Sequence, residues 1–270
     1  MSTFQKVIKY LALAFALFLV VSIFTGIFSA VYSIGNIFDE DKDTSMTEMS
    51  GKKVEAKDTK ALMINLGAAN LEIRTGEQLK AETNNSDITI KQDGDVIQIK
   101  QKSHNWFKMS DKSKVVVYIP EGMEFDKVGI DSGAGTVAIE SLNTEVLDLD
   151  LGAGEVDIDY LEVKKAADID GGTGETSIYS GVLCNLKLDM GIGAANVSTK
   201  LSGDCDLDMG VGELELTVLG DKADYTIEVN KGVGEYTIDG EKIRDDTKIG
   251  NGTNNLQLDG GIGEVKVEFQ

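Results

Sequence analysis

Proline is all but missing from this chain, with one residue in 270 against thirty glycines. A disordered glycine-rich segment carries proline or serine as well and lacks regular spacing, so this imbalance marks the glycines as positional. Cysteine is nearly as scarce. Cys184 and Cys205 are too few to define a disulfide framework. The single histidine, His104, excludes a multi-histidine metal site. Neither a Ser-His-Asp set nor a cysteine with a histidine partner can be assembled, and Arg74 and Arg244 are the only arginines.

Positive charge is short too. The net charge is −20, and residues 1–38 hold Lys6 and Lys9 with no acid, which leaves 24 basic against 46 acidic residues beyond them. Such a surface excludes nucleic acid and repels anionic envelope polymers. Cations, cationic peptides and proteins, and neutral envelope glycans remain as partners.

Charge is absent altogether from Tyr10 to Phe38, and the apolar run inside that stretch exceeds the ~20 residues a spanning helix needs. A cleaved signal peptide has a shorter core and a small-x-small site, and Phe28 stands where that site requires a small residue. Residues 10–34 are therefore expected to form a transmembrane helix that acts as a signal anchor. Lys6 and Lys9 lie closer to it than Lys42, Lys52 and Lys53 do on the other side. The expected arrangement is a cytoplasmic tail at 1–9, a polar linker at 35–55, and an extracytoplasmic C-terminal domain on a single-pass protein of the cell membrane.

What is abundant is a repeat. Gly-x-Gly, or once Gly-Ala-Ala, starts at Gly67, Gly133, Gly152, Gly172, Gly191, Gly210, Gly232 and Gly261, and from Gly133 the spacings are 19, 20, 19, 19, 22 and 29. Three residues before each first glycine stands Ile64, Ile130, Leu149, Ile169, Leu188, Leu207, Val229 or Leu258. Six after it stands Ile73, Ile139, Ile158, Ile178, Val197, Leu216, Ile238 or Val267. Apolar and polar residues alternate on both flanks, which is strand periodicity. The spacing predicts an all-β fold: a parallel β-solenoid, a single-stranded β-helix of about 19–20 residues per rung, with each aliphatic ~4.8 Å above its counterpart.

The regular solenoid is expected over 131–270, with seven rungs stacked in chain order from Gly133. Residues 56–130 contain strand-like runs without that spacing and read as irregular opening rungs, with the Gly67 copy standing apart, that cap an exposed edge. Glu241 to Asn255 reads as a mobile polar loop.

The run Val115-Val116-Val117-Tyr118-Ile119-Pro120-Glu121-Gly122, followed by Val128-Gly129-Ile130-Asp131-Ser132-Gly133-Ala134-Gly135-Thr136-Val137-Ala138-Ile139 and its repeats, resembles the bacterial putative-adhesin family of β-strand-repeat proteins, a domain of unknown function. The resemblance covers about 56–270. It implies a cell-surface β-solenoid, often tethered by an N-terminal span, and it offers no catalytic residues to carry over.

Two before each first glycine stands an oxygen-bearing side chain: Asn65, Asp131, Asp150, Asp170, Asp189, Asp208, Asn230 or Asp259. A second acidic column runs through Glu155, Glu175, Glu213, Glu235 and Glu264. Divalent-cation binding between rungs is one reading, with Asp150, Asp170, Asp189 and Asp208 as Ca²⁺ candidates. The Gly-Gly-x-Gly at 171–174 and 260–263 resembles calcium-binding nonapeptide repeats, though without their period or their aspartate. The structural reading has each Asp or Asn accepting bonds from the amides of its own corner. No other cofactor is indicated.

Cys184 and Cys205 are expected as buried free thiols about 8 Å apart, beyond disulfide reach. Trp106 and Phe107, on a polar-flanked loop, are candidates for gripping a partner or for capping the core. Acids that recur with every rung do not make an active site, which breaks a repeat at one place, so the chain reads as non-enzymatic. The function expected is a membrane-tethered cell-surface solenoid, adhesin-like in binding or a scaffold of the envelope. The alternative is an envelope-stress sensing or regulatory membrane protein acting through a partner protein.

Overall fold

Alternating aliphatic and polar residues make strands, and glycines that turn the chain without a side chain let those strands continue around corners. The computed structural model describes residues 54–55, 58–102 and 113–270. These lie within one compact unit, Thr47–Gln270. The expected span at 10–34 and tail at 1–9 fall outside the described residues, as do His104, Trp106 and Phe107. Among the described residues no helix is long and apolar enough to cross a membrane.

The described strands are β1 (Val54–Glu55), β2 (Ala61–Leu66), β3 (Asn70–Gly76), β4 (Lys80–Thr83), β5 (Ile88–Asp93), β6 (Val96–Gln101) and β7 (Lys114–Pro120). Next, β8 (Glu124–Asp170) runs through two glycine corners without leaving the ladder, followed by β9 (Thr173–Ile178), β10 (Gly181–Cys184), β11 (Leu186–Ser202) and β12 (Asp204–Val218). Last come β13 (Tyr225–Asn230), β14 (Val233–Ile238), β15 (Glu241–Lys242), β16 (Thr247–Gly250) and β17 (Asn254–Phe269).

Like stacks on like in parallel register. Leu188 pairs with Leu207 and Gly193 with Gly212, and the next layer sets Leu207 on Leu258 and Gly212 on Gly263. All sixteen aliphatics picked out by their spacing from the glycines are buried, at 2% exposure or less. At about 25 cal/mol per Å² of apolar surface removed from water, these columns are the main source of stability.

Two features of the stack differ from the order expected. The Gly67 copy does not stand apart: Ile64 pairs with Ile130, and Leu71 with Val137, so this rung lies directly against the Gly133 rung. Its other side is covered by an outer rung, with β6 parallel to β2 and β7 parallel to β3. At the far end the last two copies are exchanged. β17, which carries Gly261, pairs with β12 on one side and with β13 and β14 on the other, so the Gly232 rung is outermost. At the C-terminal end the chain lays down the outer rung first and returns to fill the layer inside it, whereas at the N-terminal end it builds the Gly67 rung, covers it with the outer rung, and then resumes the stack on the inner side.

Antiparallel strands close both ends. β5 pairs with β6, and β4 with β7 and β1; at the other end β15 pairs with β14, and β16 with β13. This corrects the reading of Glu241 to Asn255 as a mobile loop. Its Thr247–Gly250 segment forms ladder bonds along Thr226–Val229, which would otherwise present an open edge.

Candidate functional site

The corners show what each glycine is for. In the Gly191 rung, Gly193 holds φ +147, and a Cβ there would fall well inside contact distance of the Gly174 carbonyl oxygen in the next layer. The conformation and the clearance both require glycine. The extra glycine of each Gly-Gly-x-Gly has a different cause. Gly171 leaves the space taken by the Met190 thioether, and Gly260 the space taken by the Tyr236 hydroxyl. Packing against a neighbouring rung thus accounts for the likeness to a calcium-binding repeat.

Corner amides go into the interlayer ladder, as where Ile192 N donates to Gly172 O at 2.9 Å. Where the ladder ends, side chains take over. Gln101 Oε1 accepts from Gly67 N and Ala68 N at 2.9 and 3.0 Å, and Asp245 Oδ1 accepts from Lys231 N at 2.8 Å. Among the described residues no carboxylate of the aspartate column bonds to a glycine-corner amide, which corrects that structural reading of the column. In a solenoid the amide of a corner points along the stack, toward the next carbonyl.

The column therefore stands outside its rungs as an array of like charges. Its order along the stack is Asn65, Asp131, Asp150, Asp170, Asp189, Asp208, Asp259 and Asn230. The two amides are its two ends. Asn65 Nδ2 donates to Asp131 Oδ2 at 2.5 Å, and Asn230 Nδ2 to Asp259 Oδ1 at 2.6 Å. Partial burial and the neighbouring carboxylates Asp189 and Asp150 push Asp170 above the ordinary aspartate range. Burial and Asp189 and Asp259 do the same to Asp208. Few cations offset this face: Lys187 pairs with Asp189 and lies 3.8 Å from Asp168, and Lys127 is 3.7 Å from Asp148.

Asp150, Asp170, Asp189 and Asp208, the calcium candidates, thus stand one above another in successive rungs. Among the described residues no three acidic, histidine or cysteine side chains converge on a point that would hold a metal ion. The thiols divide. Cys205 is buried, and burial pushes its thiol up. Cys184 is only half-buried, which corrects the expectation for it. Asn185, at φ +50, turns the chain between β10 and β11, so the inward parity of Leu186 does not carry back to Cys184.

Across the Gly-x-Gly corners lies the second acidic column. Glu155 is pushed up by burial, then by Asp157 and Glu175. Just beyond it, at one corner of successive rungs, stand Tyr160 and Tyr179, 36% and 57% exposed. Tyr179 N donates to Ile158 O at 2.9 Å and Leu161 N to Ser180 O at 3.0 Å, which sets the two tyrosines diagonally across the layer. Spacing arguments did not single them out, yet a signal existed. They are the only aromatics between Asp131 and Val218.

A family model matches residues 43–267. The chain belongs to the Toastrack DUF4097 family. The match to this Toastrack domain takes in all but the last three described residues, and it agrees with the resemblance to adhesin-like β-strand-repeat proteins of unknown function. Among solved structures it is similar to a putative cell adhesion protein from Clostridium sporogenes, at 14% identity over 82% of this chain and 99% of that one, with a TM-score of 0.33. It is also similar to a putative adhesin from Bacteroides fragilis, at 15% identity over 80% and 95%, with a TM-score of 0.38. Likeness at this level carries no functional argument. No curated protein matches the chain.

Proposed function

We propose that this Toastrack protein is a non-enzymatic binding module of the cell surface, adhesin-like, held to the membrane by residues 10–34 and presenting its acidic faces to a cationic polypeptide partner. The observation that carries this reading is the aspartate column, which a rigid parallel ladder holds at one-rung spacing with few cations to offset it. Charges ~5 Å apart repel by about 1 kcal/mol in water and by more at a protein surface. A cationic partner removes that penalty on binding, so the array favours ligands that bring positive charge. Acids repeated along six successive rungs support binding rather than catalysis, which requires one place unlike the rest.

Protease treatment of intact cells tests the placement. Digestion of 56–270 with the membrane sealed is the expected result. Complete protection, lost only when cells are opened, would overturn a surface role. The partner class is tested by association with an oligo-lysine or oligo-arginine peptide, which should weaken steeply as salt rises.

A further inference from the structure

Tyr160 and Tyr179 are the only aromatic side chains between Asp131 and Val218, and both are exposed, whereas Tyr225 and Tyr236 in the last rungs are buried. Their hydroxyls are already engaged. Tyr160 Oη donates to Glu162 Oε2 and Tyr179 Oη to Asp157 Oδ1, each at 3.2 Å. What the rings still offer a partner is π surface beside carboxylate oxygen. Val182, 37% exposed, pairs with Glu162 in the next layer and extends the apolar ground.

The charge around the rings is predominantly negative. Glu155, Asp157, Asp159, Glu162 and Glu175 surround this corner, and among the described residues none of them lies in an ion pair, whereas acids on the opposite flank are met by Lys127, Lys187 and Lys248. Two bases stand near the edge of the corner: Lys164, two residues along the strand from Glu162 and ion-paired with Glu124, and Lys200, beyond Val182 in the ladder. Both phenols are pushed above their ordinary range, by burial first and then by Glu162 for Tyr160 and Asp157 for Tyr179. An aromatic face beside carboxylates that are held by neutral donors and by no ion pair is the recognition chemistry of a guanidinium or ammonium group.

We propose that Tyr160 and Tyr179, with Asp157 and Glu162, form a subsite for an arginine side chain of the cationic polypeptide partner. The planar guanidinium stacks on a ring while its N–H groups reach the carboxylates. Arginine is favoured over lysine because a stacked, forked cation uses both features at once, whereas a compact ammonium is more strongly hydrated. This subsite deepens the binding function proposed above and rests on it, so its test must separate the two.

The test is calorimetric titration of the full-length protein in neutral detergent, at about 0.15 M salt, with an oligo-arginine peptide, an oligo-lysine peptide of equal length, and a neutral chito-oligosaccharide. The wild type should bind oligo-arginine more tightly than oligo-lysine. The double variant Tyr160→Ser with Tyr179→Ser should lose about tenfold in affinity for oligo-arginine, while Tyr160→Phe with Tyr179→Phe, which keeps the rings, stays within about threefold. Both tyrosines are exposed, so the variants should melt as the wild type does. Unchanged oligo-arginine binding by the serine variant overturns the subsite and leaves the cationic-partner reading standing. If the wild type binds neither peptide, both readings fail. Oligosaccharide binding that the serine variant loses, without peptide binding, makes the patch a glycan platform and overturns the arginine assignment.

Discussion

Asn230 donates from Nδ2 to Asp259 Oδ1 at 2.6 Å, although the aspartate lies 29 residues further along the chain. The bond forms because the rung of Asp259 is built last and placed inside the rung of Asn230. Asn65 meets Asp131 in the same way at the other end, across 66 residues. A run of six like charges is thus closed at each end by a neutral amide that donates to the terminal carboxylate.

Replacing either amide by a carboxylate lengthens the run and removes the donor. Asn230→Asp should destabilise the domain by about 1 kcal/mol at neutral pH, the site being exposed and screened, and Asn65→Asp should cost less because Lys100 is its ladder neighbour on the outer side. Urea unfolding at pH 7 and at pH 4 checks this. The loss should shrink at the lower pH as the column protonates.

Acidification should stabilise this protein before it harms it. Asp170, Asp206, Asp208 and Glu155 all have folded-state pKa values raised above the ordinary carboxylate range. A carboxylate of that kind binds its proton more tightly when folded, so its ionisation opposes folding above the raised pKa, and stability rises as pH falls through it. Asp239 runs the other way. Lys222 Nζ, 2.8 Å away, and the Phe269 amide hold it low, so its contribution is lost only as pH falls through that lowered value. Melting temperature should therefore increase from pH 7 toward about pH 5 and also increase with added salt. The single substitution Asp170→Asn should raise the neutral melting temperature and flatten the profile.

Glycine substitutions should separate corners from turns. Gly193→Ala places a Cβ against the Gly174 carbonyl at φ +147 and should unfold the domain or cost at least about 3 kcal/mol. Gly94→Ala, at φ +60 with nothing within 4 Å of the added carbon, should cost only about 1 kcal/mol. Thermal melts of the two variants make the comparison.

The rung, its aliphatic columns and its inward faces were legible in the sequence because each side chain at those positions answers to one local demand. The pairing partner of a rung was not. A spacing of 29 between Gly232 and Gly261 fits an inserted loop as well as an exchanged layer, and the sixteen buried aliphatics are interchangeable enough to stack either way. The one discriminating mark was the pair Asn65 and Asn230, whose amides belong at column ends. Gly171 and Gly260 were misleading for a related reason: what they accommodate, Met190 and Tyr236, comes from a different rung.

Every column described above depends on the exchanged order of the last two rungs, and disulfide trapping reads that order directly. Val211, Ile262 and Val233 occupy the middle of three Gly-x-Gly corners, with Val211 paired to Ile262 and Ile262 to Val233. Ile262 and Val233 are 56% and 71% exposed, so cysteines introduced there remain accessible. With Cys184 and Cys205 replaced, Val211→Cys and Ile262→Cys should close a disulfide on mild oxidation, because neighbouring layers lie ~4.8 Å apart, within disulfide reach. Val211→Cys with Val233→Cys, about 10 Å apart across two layers, should stay reduced. A disulfide between 211 and 233 with none between 211 and 262 would contradict the stack.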